Sequence, residues 1–358
     1  MQPAECPPNC RELSLLSPCH RQLAVIPPGP PILIVAIDTE AEFDWKGPFL
    51  RTHTQVRNLR NQALAQEIFD RFKVKPIYLV DYAVATQSEG YLPLRAILET
   101  GCCEIGAHLH PWITPPFAEE LSNRTSFSHN LPAPLQKEKL ACLTDAIVSS
   151  FGIRPVCYRA GRYGVGEEAA DVLESLGYVV DMSVQPAIDM GRIDGPDFRL
   201  TPNRPYWFGR GGSLLEIPAT PGFTGMFTLP PLSESLSVWL YDRLSRPALS
   251  KVRAPGVFAR SRVLERIPMT PEGVSLTELR RLTQKLLNRE RRVFVLSYHS
   301  SSLLPGNTEY VRSADDLGRF LATLAAYLQF FSEELSGTFM TPTELRSALS
   351  SPINGTAA

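Results

Sequence analysis

The feature that most constrains this chain is a repeated alternation: an apolar run of strand length, then a longer stretch with helical spacing. Strand-like runs occur at 32–37 (Ile-Leu-Ile-Val-Ala-Ile), 76–80, 103–107, 155–159, 178–182, 214–217, 293–298 and 338–340. Between them, Val56, Leu59, Ala63, Leu64, Ile68 and Phe72 recur every three or four positions, as do Leu276, Leu279, Leu282 and Leu286. Ser313-Ala314-Asp315-Asp316 and Thr341-Pro342-Thr343-Glu344 each open a further helix with a capping residue. Strands that alternate with helices pair in parallel, because every parallel neighbour needs a crossover. The pattern predicts an α/β fold whose seven or eight units form an irregular or incomplete barrel.

The organisation expected from this pattern is a single domain over 31–350. Before it stands a poorly ordered, Pro-rich leader over 1–30, and after it a tail over 351–358. Two long Pro-, Ser- and Gly-rich loops, 111–132 and 218–272, each follow a strand end, where parallel barrels build their substrate sites. Hydrophobic residues make up 44% of the chain and charged residues 20%, which supports a sizeable core and excludes a disordered or collagen-like chain. The net charge of -1 argues against nucleic acid as a partner. Seven Cys are too few and odd in number for a disulfide framework. Cys6, Cys10, Cys19 and His20 do not have the spacing of a common zinc module, so the thiols read as reduced ones. The apolar stretch Phe320–Phe331 is well short of the ~20 residues a transmembrane helix needs. Without a signal-peptide pattern either, the expected location is cytoplasmic.

Chemistry gathers where the strands end. The first run leads into Asp38-Thr39-Glu40, the third into His108-Leu109-His110, the fourth into Arg159-Ala160-Gly161-Arg162-Tyr163, and the seventh into His299. These are carboxyl ends of strands, the catalytic rim of a parallel barrel. Asp38 and Glu40 are two apart in an extended segment, so both side chains point the same way. The same holds for His108 and His110, whose Cβ atoms would stand about 6.6 Å apart, within reach of one ion. Two imidazoles and a carboxylate with one open position form a catalytic rather than a structural metal site. A second carboxylate beside it then serves as a base. Taken singly, an Asp after a strand caps a helix and a rim His is a hydrogen-bonded core residue. Complementary groups at four strand ends argue for one site.

The order acid pair, Gly106-x-His108, Arg159-x-x-x-Tyr163 and Leu296-x-x-His299 resembles the NodB-homology polysaccharide deacetylases, carbohydrate esterase family 4. Asp38-Thr39-Glu40-x-Glu42-Phe43-Asp44-Trp45 and His108-Leu109-His110-Pro111-Trp112 look closer to the WalW-like branch, associated with lipopolysaccharide biosynthesis. The resemblance spans about residues 32–303. It implies a distorted (β/α)7-type barrel and a metal-dependent hydrolase. Such an enzyme removes an N-acyl group, an acetyl in most members, from an amino sugar or glycan precursor. The implied metal is Zn²⁺, with Co²⁺, Mn²⁺, Ni²⁺ and Fe²⁺ as alternatives.

The resemblance also implies roles. Asp38 matches the base and Glu40 the metal-binding acid. His108 matches the first ligand histidine of the second motif. The family's second histidine falls four residues later, where this chain has Trp112, so His110 is the expected third ligand. Arg159 orients the base, the Tyr163 backbone amide meets the oxyanion, and His299 is the acid that protonates the leaving amine. For the acidic partner of His299 the expectation is Asp181. Trp45, Trp112 and Trp207 are the expected sugar-stacking residues, with Phe223, Phe227, Trp239 and Tyr241 of the long loop also available. Two alternatives stay open. One is a hydrolase of a small non-peptide amide or formamide on the same fold; the other is a non-catalytic carbohydrate-binding relative. Oligomeric state is not legible.

Overall fold

The structure, a computed structural model, describes residues 12–16, 21–224 and 265–349. Cys6, Cys10, Cys19, His20, Phe227, Trp239 and Tyr241 lie outside the described residues, with most of the 218–272 loop. The strands are β1 (Glu12–Leu13), β2 (Gln22–Leu23), β3 (Ile32–Thr39), β4 (Ile77–Val80), β5 (Glu104–Leu109), β6 (Cys157–Ala160), β7 (Val180–Asp181), β8 (Tyr206–Arg210), β9 (Leu214–Glu216), β10 (Pro221–Thr224), β11 (Glu265–Pro268), β12 (Val293–His299) and β13 (Thr338–Phe339). The helices are α1 (Gln62–Phe72), α2 (Tyr82–Thr86), α3 (Ser88–Glu99), α4 (Ala133–Phe151), α5 (Ala169–Leu176), α6 (Leu276–Leu287), α7 (Ala314–Gln329) and α8 (Pro342–Ala348). Every apolar run read as a strand carries one. Capping boxes begin α6 at Ser275, α7 at Ser313 and α8 at Thr341, each side chain accepting from the third helical amide.

Parallel strands follow the order β9-β7-β6-β5-β4-β3-β12. The fold is the expected irregular α/β architecture, and the barrel is not closed by strand pairing among the described residues. Loop groups close the gap instead. Val295 N–H donates to Thr220 Oγ1 at 2.8 Å and Ser297 N–H to the Met269 carbonyl at 3.0 Å. β8 escaped the sequence reading because it is antiparallel to β9 and needs no crossover. The described part of the leader, expected to be poorly ordered, is tied to that same strand. β1 and β2 both pair with β8, and Tyr206 Oη donates to the Leu15 carbonyl at 2.8 Å.

Alternation along each strand sorts the side chains into two cores. Leu33, Val35 and Ile37 of β3 pack outward under the helices with Phe69, Leu143, Leu282 and Leu324. Ile34 and Ala36 point inward with Ile77, Leu79, Cys157, Val180, Leu215, Val293 and Val295, filling the barrel. That inward parity, continued past the apolar plug, decides which polar residues share the site. The 111–132 loop is anchored from below by Lys139 of α4. This buried ammonium donates to the carbonyls of Pro111 (3.0 Å), Thr114 (2.7 Å) and Pro116 (2.8 Å) and pairs with Glu119. Among the described residues, no helix is long and apolar enough to cross a membrane.

Candidate metal and catalytic site

Asp38, Glu40, Asp81, His108, His110, Arg159, Ser297 and His299 all continue the inward parity of their strands at the carboxyl end of the sheet. Register then sets the neighbours. β3 and β12 place His299 beside Asp38, and β5 and β6 place His108 beside Arg159. Asp38, Glu40, His108, His110, Tyr163 and His299 line one cleft of about 570 Å³ with Phe43, Trp45, Phe49 and Arg162. Arg159 stands directly behind it, bonded to Asp38.

Glu40, His108 and His110 each offer one ligand atom, and these atoms lie within 4.8 Å of one another. Glu40 Oε2 is 3.3 Å from His110 Nε2 and 3.7 Å from His108 Nε2. His108 is turned by an acceptor behind it, and a carboxylate stands behind His110. His108 Nδ1 is 3.0 Å from the Arg159 carbonyl, which can only accept, so Nδ1 carries the proton and the Nε2 lone pair faces the cleft. His110 Nδ1 lies 3.3 Å from Asp81 Oδ2, and its ring stacks on Trp112 at 4.3 Å. Burial holds His108 down to about 3, against the charge of Asp38, which keeps it neutral as a ligand must be. Burial likewise pushes the Glu40 carboxyl well up, opposed by His299 and reinforced by Asp38, Asp81 and Glu272. Glu40 Oε1 is sealed from water and has no hydrogen-bond partner. A buried carboxylate with one oxygen orphaned and the other within 3.7 Å of both imidazole Nε2 atoms fits a divalent cation.

Asp38 accepts from Arg159 Nη1 at 2.6 Å, inside a barrel where both are buried. Burial alone would raise its carboxyl. Arg159, His108 and His299 outweigh that and hold it at about 2. Arg159 is itself fixed by Nε donating to the Met182 carbonyl at 3.0 Å. Asp38 is thus an acceptor across the working pH range, gaining orientation at the expense of basicity. Tyr163 follows Arg162 in a left-handed backbone pair, φ 59° and φ 56°, which non-glycine residues seldom adopt. Gly161 just before them is needed because a Cβ there would collide with the His110 ring and stand 2.6 Å from the Leu109 carbonyl.

His299 answers to Glu272, not Asp181. Its Nδ1 is 2.9 Å from Glu272 Oε2, and its own N–H donates to Glu272 Oε1 at 3.1 Å. Burial lowers its pKa, but the Glu272 charge and hydrogen bond, with Glu40 and Asp38, raise it to about 10. Asp181 has the opposite parity. It pairs in register with Tyr158 and Glu216 on the outer face and accepts from Ser183 Oγ. Its distance from His299 therefore follows from alternation. Two further acids were not foreseen as site residues. Asp81 follows β4 with inward parity, a signal present in the sequence at the end of 76–80. It caps α2 through Val84 N–H (2.9 Å), accepts from Ala41 N–H (2.7 Å) and reaches His110. Glu272 stands in the loop after β11 and had no local signal.

Of the expected stacking residues, Trp45 is at the cleft, its ring 4.5 Å from that of His299. Trp112 and Trp207 are each 1% exposed and offer no free face to a sugar. Trp112 is walled in behind His110 by Phe43 and Phe49. Trp207 sits in the inner core near Arg346 of α8, at the opposite end of the barrel. Phe223, 3% exposed, is core as well.

No protein-family description and no curated protein matches the sequence. Solved structures do match. A 4-alpha-glucanotransferase from Thermococcus litoralis aligns with 89% of this chain at 12% identity and TM-score 0.51; the chain spans 40% of that enzyme's length. A Mycobacterium smegmatis protein assigned as a polysaccharide deacetylase aligns with 91% of this chain, over 92% of its own, at 17% identity and TM-score 0.49. A peptidoglycan deacetylase from Bacillus subtilis covers 90% of this chain and 93% of its own at 9% identity and TM-score 0.41. At such identities likeness concerns the fold alone. The fold so shared with the glucanotransferase is the irregular parallel (β/α) architecture that carries the site.

Proposed function

We propose that the chain is a metal-dependent hydrolase of the polysaccharide-deacetylase kind, cleaving an N-acyl group, an acetyl in the simplest case, from an amino sugar or glycan precursor. The observation that carries this reading is the convergence of three units on one cleft: the Glu40–His108–His110 donor set, the Asp38–Arg159 pair and the His299–Glu272 pair. A binding module needs no such acid and base. The sequence motifs that resemble carbohydrate esterase family 4 contribute all of these residues except Glu272.

Glu40, His108 and His110 would hold the ion, Zn²⁺ first among the candidates, because a borderline-soft cation suits two imidazoles and a carboxylate. When bound, the ion would polarise the acyl oxygen and acidify water beside it. Asp38 accepts the proton of the attacking water, its carboxylate held in place by Arg159. The Tyr163 amide donates to the developing oxyanion. His299, kept protonated by Glu272, delivers its proton to the departing amine. Trp45 stacks against a sugar ring at the cleft mouth. A cytoplasmic location and a part in lipopolysaccharide precursor chemistry belong to the same proposal. The free thiols of Cys102, Cys103, Cys142 and Cys157 suit a reducing compartment.

Metal content of the purified protein and acetate release from N-acetylated sugars test it. The expected result is about one ion per chain, lost in His110→Ala. Asp38→Asn should retain the ion while turnover falls by about 10²–10⁴-fold. A wild-type protein that carries no metal and takes up neither Zn²⁺, Co²⁺ nor Mn²⁺ would refute it, as would wild-type turnover in Asp38→Asn.

A further inference from the structure

The hydrolytic steps leave one cation of the cleft unused. Arg162 lines the same cavity as Asp38, Glu40 and the two histidines. Its guanidinium lies between two rings, 3.8 Å from the Phe127 centroid and 4.8 Å from that of Phe49. Nη1 donates to Asn123 Oδ1 at 3.1 Å and to Ser126 Oγ, which fixes the plane of the fork. Among the described residues, Nε and Nη2 have no acceptor and no carboxylate lies within 4 Å of the group. Asp194, the acid whose field it feels, is turned toward Arg124 at 3.9 Å.

The backbone aims this side chain at the chemistry. Arg162 and Tyr163 are both held left-handed, directly after the glycine that seats the His110 ring. A second route joins the same points, since Phe49 packs on Trp112 at 4.7 Å and Trp112 stacks on His110 at 4.3 Å. A half-buried guanidinium with no counter-ion is costly for the free protein. With its rotamers already restrained, the open Nε–Nη2 edge matches the two oxygens of a carboxylate or a phosphate. Burial draws the group down to about 10 while leaving it charged at neutral pH.

We propose that Arg162 is the anion-reading residue of this cleft, and that the preferred substrate carries a carboxylate or phosphate close to its N-acyl group. The N-acyl part rests on the hydrolase reading above; the anion does not. The cleft then selects sugar phosphates, nucleotide-linked sugars or acidic sugars over neutral polymers of N-acetylated sugars.

Calorimetric binding to the zinc-supplied full chain tests this with N-acetylglucosamine, N-acetylglucosamine 6-phosphate, N-acetylmuramic acid and inorganic phosphate. At least one charged sugar should bind about tenfold tighter than the neutral one, the effect of a charge-assisted pair. Whether the phosphate or the carboxylate sugar gains names the source of the anion. Arg162→Gln should abolish the ratio, and Arg162→Lys, which keeps the charge and loses the fork, should retain part of it. Equal affinities for the three sugars, or no binding by any, would overturn the proposal. So would a ratio that survives in Arg162→Gln, the behaviour of a phosphate held by the metal alone. A preference without acetate release would sink the hydrolase and leave the anion site standing; acetate release without a preference would do the reverse.

Discussion

Replacing Glu272 with Gln removes one charge from the group that keeps His299 protonated while leaving an oxygen able to face Nδ1. In the wild type that contact is 2.9 Å and His299 stands at about 10, against an ordinary imidazole near 6.5. A full charge at that separation and an effective dielectric constant of about 20 is worth roughly 6 kcal/mol, or about 4 pKa units, an upper bound. Measured shifts from a single opposite charge run about 1–3 units, so the variant imidazole should titrate near about 7–9. The assay is kcat/KM against pH, with an NMR titration of the His299 ring as a readout independent of turnover. Because the acid must be protonated to act, the alkaline limb should move down by about 1–3 units. A bound cation offsets Glu40 in both proteins, so the difference between the profiles is the quantity to compare. Stability carries the matching sign. A raised histidine stabilises fully below about 6.5 and loses that contribution as pH rises through about 10. Glu272→Gln should therefore lower the urea midpoint most at acid pH and least above about 10. An alkaline limb and ring titration that do not move would refute the assignment of Glu272 as the partner of the acid.

Asp81→Asn should weaken Zn²⁺ binding by about 10–100-fold, because the carboxylate that faces His110 Nδ1 at 3.3 Å loses its charge. Competition with a chromogenic chelator reads this directly, and an unchanged affinity in a folded variant would remove Asp81 from the site. Lys139→Met strands the Glu119 carboxylate and three inward carbonyls under the 111–132 loop. The expected loss is about 3–5 kcal/mol by chemical denaturation. A loss below about 1 kcal/mol would mean that the loop is held by its own packing.

The strand positions were legible because apolar alternation and length are local properties. The eight runs at 32–37 through 338–340 all carry strands, and the capping boxes at Ser313 and Thr341 begin helices where read. β8 was not legible as a strand, since Tyr206–Arg210 returns antiparallel through Gly211 and Gly212 and the reading looked for crossovers. Asp81 is legible as an inward residue at the end of the 76–80 run, although its neighbours Leu79 and Val80 carry no chemistry.

By itself the sequence determined that polar chemistry stands at the carboxyl ends of inward-facing strands. Period-two alternation commits Asp38 with Glu40, and His108 with His110, to one side before any partner is known. What only the tertiary structure decided is who faces whom. Sheet order sets His299 against Asp38 and Arg159 against His108, and a loop returning after β11 brings Glu272 to His299 in place of Asp181. It also decided which aromatic faces remain open: Trp45 at the cleft, Trp112 and Trp207 sealed in cores. The physical reason is the range of each constraint. Alternation is written between neighbours two residues apart. Strand order, loop return and burial are set by packing between segments far apart in the chain, from the 27 residues between Glu272 and His299 to the 121 between Asp38 and Arg159, which no local pattern encodes.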